Sequence, residues 1–119
     1  MRPGPTRPEF AEAKRELRAA HRRTGRRIWA DLERRIVSGE ASRTIVNISR
    51  LAKHTQEGDY VVIPGKLLGA GQIGHRVTVG ALGYSLSALS KLRQANCVAL
   101  TLAQFVKRYA EKGGVKIIG

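Results

Sequence analysis

The apolar positions begin on a helical period. Phe10, Ala13, Leu17 and Ala20 share one side of a helix that opens at Pro8 and closes at Thr24-Gly25, with Lys14, Arg15, Arg18, Arg22 and Arg23 on the other sides. Glu9, Glu12 and Glu16 lie toward its start, where the helix dipole favours acids. A second helix, from about Ile28 to Val37, turns Trp29, Leu32 and Ile36 inward and stops at Ser38-Gly39. Residues 42–47 form a connector, and Asn47 is a plausible N-cap for a short third helix. That helix would bury Ile48, Leu51, Ala52 and Thr55 and end near Gly58. The period then drops to two, predicting strands around 59–63 and 77–82. Ser85 caps a helix with Leu86, Leu89 and Leu92 inward, closed by Asn96. Cys97 to Leu100 reads as a short buried strand. Thr101 caps a helix with Leu102, Phe105, Val106 and Tyr109 at i, i+3, i+4 and i+7, and Val115 to Ile118 forms a last strand. The C-terminal half is therefore ββαβαβ, an α/β unit with at least some parallel pairing. Residues 1–8 hold three prolines and can bury nothing. The division expected is a basic extension with a helix over 1–27, mobile when the protein is free, and a compact α/β domain over 28–119.

Charge changes this picture most. The 119 residues carry 22 Lys and Arg against nine Asp and Glu, a formal charge of +13 that repels itself and implies a polyanionic partner. No apolar run approaches membrane-spanning length and no signal peptide is evident, so a membrane partner is not expected and the cytoplasm is the default location. Cys97 is the lone cysteine, which leaves no disulfide framework or Cys-based zinc site within one chain.

Gly69-Ala-Gly-Gln-Ile-Gly74 matches the dinucleotide pattern GxGxxG, but its context is wrong. The fingerprint needs a strand running into the glycines, a helix directly after them and an acid about 20 residues on. Here Pro64 to Leu68 intervene after the strand, Val77 to Leu82 follow as a second strand, and no Asp or Glu occurs from Tyr60 to Ala110. That gap removes a ribose partner, a carboxylate base and a Mg²⁺ ligand. The segment reads instead as a hairpin-like cationic loop that lets phosphate approach its backbone. Replacing Gly71 by Val should then obstruct that approach and leave the core folded.

Three segments carry a family resemblance. Val46-Asn-Ile-Ser-Arg-Leu51 resembles the centre of the signature of the L-eighteen-e family of eukaryotic and archaeal large-subunit ribosomal proteins. Val61-Val-Ile-Pro-Gly-Lys-Leu-Leu-Gly69 resembles the V-V-[V/I]-P-G-K-[V/L]-L-G stretch of that family. Val77-Thr-Val-Gly-Ala81, with Ser85 and Lys91, resembles the positions that follow. Order and spacing hold from about Ile28 to Gly119, and the compact length is similar to archaeal members. Upstream of Val46 the family usually has a Leu, a Pro or Ser, and a basic residue where this chain has Ile36, Gly39 and Glu40. The resemblance implies an irregular ββα superhelix, shared with the bacterial ribosomal protein fifteen family. It also implies large-subunit rRNA and neighbouring ribosomal proteins as partners.

On that reading the candidate RNA contacts are Arg22, Arg23, Arg26 and Arg27, which straddle Gly25 with no acid among them, together with Arg43, Arg50, Lys66, His75 and Arg76. Arginine's planar fork chelates phosphate and stacks on bases. Asn47 is read as a structural cap. His21, His54 and His75 are too scattered for a metal site or a general base. Cys97, Trp29, Phe105 and Tyr109 are core positions, and Tyr60 and Tyr84 lie near loops. Without paired strand aromatics, recognition should rest on shape and phosphate. No cofactor, metal, small-molecule substrate or catalytic role is expected. Beside the ribosomal role stand two alternatives: a free-standing nucleic-acid-compacting protein, which shares only the charge, and a nucleotide-using enzyme, which the acid-free stretch undercuts.

Overall fold

The computed structural model describes residues 7–119. Helix α1 (Pro8–Thr24) is followed by α2 (Arg27–Val37) and a 3-10 turn at Ala41–Arg43. Then come β1 (Ile45–Asn47), α3 (Ile48–Lys53), β2 (Asp59–Leu68), β3 (Val77–Tyr84), α4 (Leu86–Gln94), β4 (Val98–Thr101), α5 (Leu102–Tyr109) and β5 (Lys116–Ile117). The strands lie in the order β1-β2-β3-β4, with β5 also against β2, and every pairing is parallel. Each strand from β1 to β4 moves one place along the sheet, so the chain coils as it advances. The class is α/β, and this winding matches the ββα coil that the resemblance implies.

Parallel pairing overturns the hairpin. β2 and β3 run in register from Asp59 beside Val77 to Leu67 beside Tyr84, so residues 69–76 must return the full length of the strand. Eight residues reach about 26–29 Å when extended, and a strand of this length spans about 30 Å. The connection therefore has no slack for a helix. It is an extended strap.

Strand alternation divides the core in two. Val62 and Leu82 face α1, α2 and α5, whereas Val61, Ile63, Val77, Val79 and Ala81 face α3 and α4. Gly80 lets Phe105 lie directly on the sheet, because a Cβ there would overlap that side chain. Ala13, Leu17 and Ala20 are at most 1% exposed and belong to the same core as Trp29 and Phe105, so α1 is packed. Residues 1–6 of the N-terminal segment lie outside the described residues.

Several boundaries differ from expectation. β2 does not stop at Ile63 but continues through Pro64 to Leu68. Pro64 has no N–H to donate, and it falls between the β5 pairings at Val61 and Val62 and the β1 pairings at Lys66 to Leu68. A register shift between Ile63 and Lys66 marks the same place. α3 ends at Lys53, and Thr55, though buried, lies beyond it. Leu86 is 85% exposed; Ala88 and Leu92 are the buried pair of α4, and Ser87 is the side chain that lies against the strap at Gly69. β4 starts at Val98 as an edge strand with only Leu100 buried, which leaves Cys97 half-buried before it.

Candidate nucleic-acid interface

The glycine pattern proves to be a packing device. β2 does run straight into Gly69, but β3 follows Gly74 with no helix between them. Lys91 of α4 donates from Nζ to the carbonyl oxygens of Gly69 and Gly71, at 2.5 and 2.6 Å. The Ser49 amide donates to Ala70 O at 2.9 Å, and the Ala70 amide approaches Asn47 Oδ1 at 3.4 Å. Asn47 occupies the N-cap position of α3 yet spends its side chain on the strap rather than on the helix. A Cβ on Gly69 would overlap Ser87, and one on Gly71 would overlap Ser49. Gly71 also has φ +104°, a region that side chains disfavour. The first two glycines therefore face protein, whereas Gly74 has nothing within 4 Å. Loop-like access to backbone amides, and tolerance of Gly71→Val by the core, do not fit this geometry.

The nine candidate cations separate into two groups. Arg22, Arg23, Arg27, Arg43, Arg50 and Lys66 are exposed, and their side chains make no hydrogen bond or ion pair among the described residues. Gly25, at φ +72°, turns the chain between α1 and α2, placing Arg22 and Arg23 in the last turn of α1 and Arg27 at the start of α2. Arg22 and Arg23 suit the α1 dipole. Arg27 opposes that of α2, whose first turn carries no acid. Arg50 lines a shallow cleft with His54 and Lys116. Lys66 follows the Pro64-Gly65 irregularity within β2, where a Cβ on Gly65 would overlap Thr44, and lines a cleft at the start of α1.

The other three are engaged. Arg26 donates to Glu111 O at 2.8 Å, beyond the end of α5. His75 Nε2 lies 2.7 Å from Thr55 Oγ1, which gives its own proton to Leu51 O, so His75 is the donor of this pair. Arg76 meets Glu57 twice, through its amide and its Nε, each at 2.8 Å. Those two bonds, the amide first, hold the Glu57 carboxyl below its usual range. Asp59 is lowered chiefly by Lys116, 2.8 Å away, and then by the Gln56 amide. The strap's far end is thus neutralised by acids that lie before Tyr60.

Other sequence candidates are structural. Trp29 donates to Ala110 O at 2.8 Å. Tyr60 packs edge-on to Tyr109, with ring centres 4.9 Å apart, under Lys112. Tyr84 donates to Leu100 O at 2.6 Å, and burial pushes its hydroxyl pKa up. Burial likewise raises the Cys97 thiol. Among the described residues no three His, Cys, Asp or Glu side chains group as metal ligands, and no helix is long and apolar enough to cross a membrane. The sequence pattern missed Lys91 as an anchor, since its partners lie 20 and 22 residues away. Lys14, Arg15, Arg18 and Arg22 line a groove on the outer face of α1 over Ala11 and Ala19, where Arg18 is paired with Glu33.

No family model matches the chain. It is 37% identical over 113 residues to large ribosomal subunit protein eL18 of Methanothermobacter thermautotrophicus, covering 95% of this chain and 93% of that one. The chain belongs to the eL18 family. The eL18 of Pyrobaculum aerophilum is 35% identical over 97% of this chain and 94% of its own length. The eL18 of Thermoplasma acidophilum is 34% identical over 82% and 81%. In this eL18-family chain the resembling residues Asn47, Gly69 and Lys91 meet at the strap, so part of what looks like an RNA signature is the means of folding a parallel β-strap-β unit.

Proposed function

We propose that this protein is a structural constituent of the large ribosomal subunit that binds and stabilises folded large-subunit rRNA through its basic surface, with no catalytic role. Its place is then the cytoplasmic ribosome, among rRNA and neighbouring ribosomal proteins. The observation that carries the reading is the set of six exposed cations, Arg22, Arg23, Arg27, Arg43, Arg50 and Lys66, that no described residue neutralises. A guanidinium placed against a helix dipole, as Arg27 is, costs about 0.3–1 kcal/mol unless an anion compensates it. Phosphate is such an anion. Residues 1–27 are read as a basic N-terminal extension, whose helix α1 is docked with its arginine-bearing end turned outward, and residues 28–119 as the compact rRNA-binding domain.

Six phosphate contacts imply a log–log salt slope of about −4 to −5 for binding to structured rRNA, at about 0.7–0.9 per contact. The protein should also sediment with large subunits at moderate salt. A slope shallower than about −2 would remove the electrostatic account. Tight binding with no retention on large subunits would favour a free-standing nucleic-acid-compacting protein.

A further inference from the structure

We propose that the cleft between the start of α1 and the Lys66–Tyr84 end of the sheet receives one unstacked nucleobase of the bound RNA; this rests on the rRNA-binding reading above. The cleft measures about 460 Å³, within the range of about 300–1,000 Å³ typical of small-ligand sites. Phe10 and Tyr84 are among its lining residues. Phe10 lies under the Arg7 guanidinium at 5.1 Å, whereas the Tyr84 ring packs with the α3–α4 core and its hydroxyl is bonded to Leu100 O. Unstacked bases pack on such rings and guanidinium planes. Lys66, which has no acceptor among the described residues, supplies a phosphate contact on the same wall.

The polar lining favours a base over a phosphate. Ser42 and Thr44 give their hydroxyl protons to Gly39 O and Glu40 O, at 2.7 and 3.0 Å, and so offer only lone pairs. Glu9 adds a carboxylate to the lining. A phosphate inside would meet these acceptors, whereas an exocyclic amino group would satisfy them. The occupant is therefore a base that turns an N–H edge to these acceptors, with its phosphate outside between Arg7 and Lys66.

Gly83 provides the test. It lines the cleft in β3, and a Cβ there would meet only Lys66 Cγ at an ordinary 3.7 Å. Gly83→Ile fills the space without changing any charge. The probe is a transcript of archaeal large-subunit rRNA, with affinity measured over a range of salt and contacts mapped by ultraviolet crosslinking of the wild-type chain. The expected result is a crosslink from Phe10 to a single base, with Gly83→Ile weakening binding about ten- to hundredfold at an unchanged salt slope. If Gly83→Ile does not fold, the wild-type crosslinks decide. Wild-type affinity in folded Gly83→Ile, or crosslinks confined to the Arg22–Arg23 region, would each overturn the base site and leave the basic-surface reading standing. Wild-type binding without a steep salt slope would overturn that reading itself. A neighbouring protein's segment crosslinked in the cleft within intact subunits would overturn the base site alone.

Discussion

At the scale of single residues, Lys91 and the strap glycines carry the clearest consequences. Lys91 combines a partly buried ammonium with two backbone carbonyls to which no other described residue donates. Charge-assisted bonds of this kind contribute about 1.5–3 kcal/mol, so Lys91→Met should lower stability by about 2 kcal/mol or more in a urea titration. Lys91→Arg should retain part of that. The glycines differ from one another. Gly71→Val meets Ser49 and adopts a disfavoured φ, and should cost about 2–4 kcal/mol. Gly74→Val faces open space at an ordinary φ and should stay within about 0.5 kcal/mol of wild type. Equal effects at the two positions would show that the strap is not packed as described.

Elements are joined at the strap's far end by exposed charge. Glu57 holds Arg76 at the entry to β3, and Asp59 at the start of β2 holds Lys116 of β5. Both carboxyls titrate below their ordinary values of 4.5 and 3.8, so folding favours their ionised forms. Their contribution is complete above the unfolded values and is lost as pH falls through the lower native ones. Thermal stability should therefore decline as pH drops below about 4.5, and more steeply than in Glu57→Gln, whose profile should be flatter over the same interval. Solvent exposure keeps the effect modest. A melting series that is parallel for the two proteins would mean that the ion pair contributes nothing to folding.

Across the whole molecule, the division between engaged and free cations is the feature to test. Replacing Arg22 and Arg23 together by Gln should reduce the salt slope for rRNA by about 1.4–1.8 and leave stability nearly unchanged. Arg26→Gln should do the reverse, because that guanidinium holds Glu111 O where α2 meets the end of α5. Titration with NAD or ATP should give only weak binding that salt erases. The molecule measures 40 × 38 × 18 Å, a slab one sheet thick with a helix layer on each face. Such a slab offers broad faces, a shape suited to lying against folded RNA.

What could be read in the chain was local or depended on family spacing. Helical and strand periods located all five helices, because period and burial are set by neighbours three, four or two residues away. Charge excess, the missing acids between Tyr60 and Ala110 and the three resembling segments pointed to the eL18 family without a structure. Strand direction could not be read this way. Residues 64–76, which the sequence leaves between the two strands, suit a hairpin loop or a crossover equally well, and only the pairing of Asp59 with Val77 decides between them. That choice turned Gly69 and Gly71 from a phosphate-facing loop into a strap packed between α3 and α4. It also drew Lys91 onto their carbonyls and brought Ala88, rather than Leu86, to the buried side of α4. Partners 15 to 85 residues apart, such as Arg18 with Glu33 or Arg26 with Glu111 O, likewise exist only in the folded chain. Sequence determined how much positive charge the protein carries. Tertiary structure decided which of it is left unpaired, because an arginine is spent or free according to which acceptor the fold places within about 3 Å of it.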